Sequence, residues 1–246
     1  MTLGISMTRD SIIYLIAVVT VVFTFAIVAT YLPDNTRSSD INISHVEAAK
    51  LNSFEAKSRE ASVKVVTPSG GHGTGTLFEY KGKVFIFTAK HVTEGFSRFL
   101  IIPNSGETKE ASLVYSDLAA DFAVLSADGL DSIKPVKFKA KDHNPKTLID
   151  LDVIFSGYPS AHSLLTSRGR VAGFEVDSII IHSIAWGGSS GSSVFSSKGD
   201  FLGILFGTSV DAPFGIPTVI DNIIWVSPYY VIDWNALDRK IQENGE

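Results

Sequence analysis

The chain of 246 residues has no cysteine, so no disulfide framework can be argued from it, and the usual sign of an oxidising compartment is missing. Charge is also scarce. Charged residues make up 19% of the chain against 45% hydrophobic ones, and there are none between Asp10 and Asp34. The net charge of −5 gives no reason to expect a nucleic-acid partner. We see no internal repeat and no low-complexity tract. His45, His72, His143 and His162 fall in loops or linker without metal-ligand spacing, so no metal or cofactor is expected.

The shortage of charge has a local origin. Residues 11–32, SIIYLIAVVTVVFTFAIVATYL, form one uninterrupted apolar run. A run of this length crosses a bilayer core of about 30 Å as a tilted helix. Tyr14 and Tyr31 near its ends suit the interfaces. A cleaved secretory signal is the competing reading. Its apolar region would be shorter, about 7 to 15 residues, with a small-x-small cleavage site that Ile27-Val28-Ala29 supplies poorly. The expectation is therefore an uncleaved, single-pass signal anchor after a tail of residues 1–10. Arg9 on one side faces Arg37 and Lys50 on the other, which leaves the positive-inside rule little asymmetry to read. The domain beyond is expected on the extracytoplasmic side.

Residues 33–61 read as linker and stalk: a polar DNTRSSDINIS after Pro33, then an Ala-, Glu- and Lys-rich stretch suited to a short helix. From Ser62 onward the pattern changes to about a dozen short β-type runs separated by Gly, Pro, Asp and Asn, among them KVFIFTA, RFLIIP, LDVIFSGYP and FLGILFGT. Such spacing predicts an all-β barrel or sandwich. Near the C-terminus, Tyr230, Val231, Trp234, Leu237 and Ile241 recur at helical steps after Pro228, which predicts an amphipathic helix over residues 229–243.

Within this β region one stretch, GGSSGSSV at 187–194, could be either a flexible linker or a tight turn presenting a nucleophile. A serine hydroxyl reacts only when a base takes its proton and a third group orients that base. Backbone N–H groups must also face the developing oxyanion, and glycines beside the serine allow the turn that aims them. Of the four serines only Ser190 has a glycine two before it, Gly188, and one directly after it, Gly191. The spacing does not match a Gly-x-Ser-x-Gly elbow. Apolar strands on both sides speak against a linker. His91 follows a buried strand in VFIFTAKHV, and Asp121 opens another in DLAADFAVLSA. Taken singly, each has an ordinary explanation as a surface histidine or a turn former.

Together, the order His91, Asp121, Ser190 in these contexts resembles the trypsin-like (chymotrypsin-fold) serine peptidases. The resemblance runs over roughly residues 62–243. It rests on GTGTLF at 73–78, Thr88-Ala89-x-His91-Val92, Asp121-Phe122-Ala123-Val124-Leu125, SGYP at 156–159, Gly188-Ser189-Ser190-Gly191 and GDFLGILFG at 199–207.

The resemblance implies two packed antiparallel β-barrels, the first over about 62–135 and the second over about 145–227, closed by the C-terminal helix. It implies that Ser190 is the nucleophile, His91 the general base and Asp121 its orienting partner, with the N–H groups of Gly188 and Ser190 as oxyanion hole. The substrate would be a protein or peptide. Ile184, Ala185, Leu205, Phe206 and Gly207, with Thr208 beside them, would wall a substrate pocket. None is charged, which disfavours cleavage after Lys or Arg. His182 would either face that pocket or pack elsewhere. Ser189 stands where the family usually has Asp or Asn, so activation through a freed amino terminus is not expected. Ser192 and Ser193 replace a usual Gly-Pro. No peptide-binding module is expected after Trp234. A catalytically inactive relative that binds through its cleft and an esterase with the same triad are the alternatives.

Overall fold

A computed structural model describes residues 51–140, 147–211 and 218–243, with the β-hairpin tips at 210–211 and 218–221 defined by backbone alone. The apolar run at 11–32, the linker and His45 lie outside the described residues, as does His143. Among the described residues no helix is long and apolar enough to cross a membrane.

The first barrel uses β1 (Ser62–Val66), β2 (His72–Tyr80), β3 (Lys83–Thr88), β4 (Arg98–Pro103), β5 (Lys109–Ser116) and β6 (Ala123–Ser126). They pair in the order β1-β4-β5-β6-β3-β2, and β1 on β2 closes the ring. Strand β1 shows why these runs are strands: Val63 and Val65 point inward at period two and are fully buried, while Lys64 points away. The two-residue β7 (Val136–Lys137) adds to β2 in parallel and is too short to leave a periodic trace in the sequence.

The second barrel is built from β8 (Asp152–Gly157), β9 (Leu165–Glu175), β10 (Ser178–His182), β11 (Ser193–Ser196), β12 (Phe201–Asp211) and β13 (Thr218–Pro228). It closes in the order β10-β13-β12-β11-β8-β9. The expected pair of antiparallel barrels is thus present.

Aromatic packing joins them. Phe78 stacks on Phe87 at 4.5 Å within the first barrel and meets Phe201 of β12 edge-on at 5.3 Å. A second core, with Phe155, Ile179, Ile181, Leu205 and Val226, fills the other barrel.

Two helices pack on this frame. Helix α1 (Ser53–Glu60) lies in the stretch read as stalk and is bound to the domain. Asn52 caps it with Glu55 completing a capping box, and the Glu55 carboxylate also takes two bonds from Arg168 on β9 at 2.7 and 2.9 Å. Its Phe54 ring stands edge-on to Phe195 at 5.1 Å.

The terminal helix, α3, runs Trp234–Glu243 rather than starting at 229. Pro228 ends β13 instead of opening the helix, and the Asp233 carboxylate accepts the Ala236 N–H at the helix start.

Candidate active site

His91 lies on the one-turn helix α2 (Lys90–Thr93), directly after the buried end of β3. Asp121 stands two residues before β6, which is hydrogen-bonded to β3, so the pairing of adjacent strands brings the two side chains together. His91 Nδ1 lies 2.7 Å from Asp121 Oδ2, and the His91 backbone N–H donates to Asp121 Oδ1 at 3.0 Å. An ionised carboxylate only accepts, so Nδ1 carries the proton, and Nε2 of the neutral ring is left as a base.

The Asp121 bond raises His91 above its ordinary range, against the opposing effect of burial. Burial pushes the Asp121 carboxyl up, but its bonds and charge attraction to His91 outweigh this and hold it below the usual value.

Asp117, four residues before Asp121 in DLAADFAVLSA, serves the structure instead. It is fully buried, and its carboxylate accepts N–H bonds from Ala119, Ala120 and Asp233 and the Tyr115 hydroxyl. Burial pushes it up and those bonds bring it below the ordinary value.

Ser190 comes from the loop between β10 and β11 in the second barrel and lines the same cleft as His91 and Gly188, a space of about 310 Å³. Ser190 Oγ stands 3.5 Å from the Phe206 carbonyl, at the outer limit of a hydrogen bond.

The loop explains its glycines. Gly191 has φ +93°, and a Cβ there would fall 1.9 Å from the Thr74 carbonyl. Gly188 has φ +92°, and a Cβ would fall 2.4 Å from the Tyr158 carbonyl. Three neighbouring loop amides are committed: Ser189 N–H to Trp186 O, Gly191 N–H to Leu205 O and Ser192 N–H to Ser189 O. Among the described residues the N–H groups of Gly188 and Ser190 have no acceptor.

Ser189 is buried, and its Oγ accepts only a long bond of 3.4 Å from the Trp186 N–H. Ser192 Oγ donates to the Ser189 carbonyl at 2.7 Å, while Ser193 Oγ is buried without a partner among the described residues.

The expected pocket walls divide. Leu205 and Ala185 are buried in the core of the second barrel, where they join Leu202, Ile181 and Val226. Only their backbones can meet a ligand. Ile184 is 49% exposed, Phe206 and Thr208 are half-buried, and Gly207 opens onto free space. His182 ends β10, exposed, opposite Arg170 and Ile223.

His72 departs from its expected place in a loop. It is the first residue of β2 and lines the cleft beside Gly188. Thr74 escaped the sequence reading altogether: its N–H donates to Ser190 O at 2.7 Å and its Oγ1 to Gly188 O at 2.8 Å. The GTGTLF motif that contains it is the available signal.

Comparison with known proteins agrees with this architecture. The trypsin-like peptidase domain family matches residues 73–204. The chain is 26% identical over 144 residues to the serine endoprotease DegS of Salmonella typhimurium (strain 14028s / SGSC 2262), covering 54% of this chain and 38% of that protein. It therefore spans well under half the length of that relative. Among solved structures, the serine endoprotease from Yersinia pestis superposes with a TM-score of 0.58 at 22% identity, over 79% of this chain and 66% of the other. The HtrA-type protease AlgW with tripeptide gives 0.58 at 20% identity, over 78% and 64%. At those identities the structural likeness speaks for the fold, and the family match covers more than half of the sequence. The chain belongs to the trypsin-like serine peptidases.

Proposed function

We propose that the protein is a membrane-anchored serine endopeptidase that cleaves proteins or peptides through an acyl-enzyme. The observation that carries this reading is the His91–Asp121 bond at 2.7 Å, in a cleft that also holds Ser190 and two amides without acceptors. Ser190 Oγ attacks the scissile carbonyl while His91 Nε2 takes its proton. Asp121 keeps Nδ1–H in place and stabilises the imidazolium. The N–H groups of Gly188 and Ser190 receive the oxyanion, each worth about 3 kcal/mol to the transition state in measured cases. His91 then returns the proton to the leaving amine, and water repeats the sequence on the acyl-enzyme.

Ile184, Phe206, Gly207 and Thr208 carry no charge, which favours small or apolar side chains over Lys or Arg before the cut. Residues 11–32 hold the enzyme in the bilayer, with the peptidase domain on the extracytoplasmic side.

A second reading, an inactive relative that binds through the cleft, draws on the position of Ser190 Oγ against Phe206 rather than on His91. Hydrogen bonds of this kind are often long until substrate arrives, so the enzyme reading stands ahead.

Cleavage of a peptide library by the full chain, with Ser190→Ala as control, tests the activity. Retention of the chain in the membrane fraction after alkaline carbonate extraction tests the anchor. An inert wild type, or a chain released by carbonate, defeats the corresponding part.

A further inference from the structure

In the loop that carries Gly188 and Ser190, the internal bonds run from Ser189 N–H to Trp186 O and from Ser192 N–H and Oγ to Ser189 O, and none of them takes up the Gly187 or Gly188 carbonyl. Ser189 is uncharged and makes one long side-chain bond. The two peptide planes before it are held from outside. The Ser160 N–H donates to the Gly187 carbonyl, and Thr74 Oγ1 donates to the Gly188 carbonyl at 2.8 Å. In a trans peptide the C=O and N–H point in opposite directions. Holding the Gly187 carbonyl against Ser160 therefore turns the Gly188 N–H the other way.

Ser160 itself is strained: it is not a glycine yet has φ +51°, a left-handed conformation that persists only where its surroundings enforce it. The segment 158–160 is fixed at its start by two bonds. The Tyr158 N–H donates to Thr74 Oγ1 at 3.0 Å, and the Tyr158 carbonyl lies 2.9 Å from His72 Nε2. A carbonyl cannot donate, so His72 Nε2 carries the proton whether the ring is neutral or charged. The same ring lies against the loop, since a Cβ on Gly188 would fall 2.5 Å from Nε2.

We propose that His72 is a positioning residue for the oxyanion loop, its Nε2–H bond to the Tyr158 carbonyl holding segment 158–160 against Gly187 so that the Gly188 N–H faces the cleft. The inference rests on the serine-peptidase reading for its catalytic consequence, although the brace itself is a matter of backbone geometry. Among the described residues no side-chain hydrogen bond joins His72 to Ser190 or His91.

The test uses the full chain with two substitutions. His72→Phe keeps a ring against Gly188 and loses the donor, whereas His72→Gln restores an N–H at similar reach. A fluorophosphonate probe reads the rate at which Ser190 is modified. His72→Phe is expected to react about tenfold slower or more, below the roughly 10²- to 10³-fold cost of removing an oxyanion donor outright, with His72→Gln within about threefold of wild type. The end-point stoichiometry and the pH midpoint set by His91 should stay unchanged, whereas a folding defect would lower the end point. Crystal structures of both variants give the second readout: the Gly187 carbonyl should leave the Ser160 N–H in His72→Phe and keep it in His72→Gln. Wild-type rates in His72→Phe, equal slowing in both variants, or an unmoved Gly187 peptide in His72→Phe would overturn the proposal. If the wild type does not react at all, the peptidase reading falls, and the crystallographic arm alone decides whether His72 holds the loop.

Discussion

The Thr74 amide donates to the Ser190 carbonyl at 2.7 Å, so a strand of the first barrel holds the loop of the second that carries the candidate nucleophile. The same residue's hydroxyl accepts from Tyr158 N–H and donates to Gly188 O. Thr74→Val keeps the shape and removes both hydroxyl bonds. Leaving buried backbone groups unpaired costs about 1 to 3 kcal/mol. The variant should therefore lose stability by that amount in denaturant titrations. It should also lose peptidase activity by more than the fraction unfolded explains.

The His91–Asp121 pair fixes the pH response. His91 must be neutral to act as base, and Asp121 raises it above its ordinary value of 6.5. Activity should therefore rise with pH through a midpoint above 6.5 in the wild type. In Asp121→Asn that midpoint should fall and the rate should drop by about 10⁴. The stability linkage has the opposite sense. The pair stabilises the fold while His91 is protonated, below its unfolded value, and this contribution fades as pH rises through the raised folded value. Melting curves across this range should show that slope in the wild type and lose it in Asp121→Asn.

Gly188→Ala tests the loop's close packing. Its Cβ would meet the Tyr158 carbonyl at 2.4 Å and demand φ +92° of an alanine. The loop must move, and turnover should fall by about 10² or more, as for loss of an oxyanion donor. A variant with unimpaired turnover would show that this amide is not used.

Much of this site was legible in the sequence, and the reasons differ from residue to residue. Val63 and Val65 announce β1 by alternation, and the glycines at 188 and 191 mark a turn that only glycine tolerates. His91 and Asp121 beside apolar strands are ordinary residues taken singly, and they are legible only in order with Ser190 and the motifs around all three. His72 carries no such local signal, because its partner Tyr158 lies far along the chain and in the other barrel. The burial of Leu205 and Ala185 depends on partners such as Val153 and Ile179, which lie elsewhere in the chain and leave no local trace. Helix α1 looked like a stalk because its charge pattern suits water, and the Arg168 that receives Glu55 lies over a hundred residues away.

Ser193 Oγ is buried without a partner among the described residues, so Ser193→Ala should be neutral or stabilise by up to about 1 kcal/mol, read as a raised melting temperature. A clear loss of stability would mean that the hydroxyl has a partner after all.

Phe54 packs edge-on against Phe195 and over Gly199, which ties α1 to the second barrel. Phe54 is only partly buried, so Phe54→Ala should cost about 2 kcal/mol, roughly half the price of a fully buried phenylalanine. No change in the unfolding midpoint would show that α1 adds nothing to the domain.

The central claim is that Ser190 is the nucleophile. Its most direct test is peptide mapping of the full chain after treatment with a fluorophosphonate. The account predicts a single adduct on Ser190, absent in Ser190→Ala and formed far more slowly in His91→Ala. No adduct under conditions that label trypsin, or an adduct on Ser189 or Ser192 instead, would contradict it.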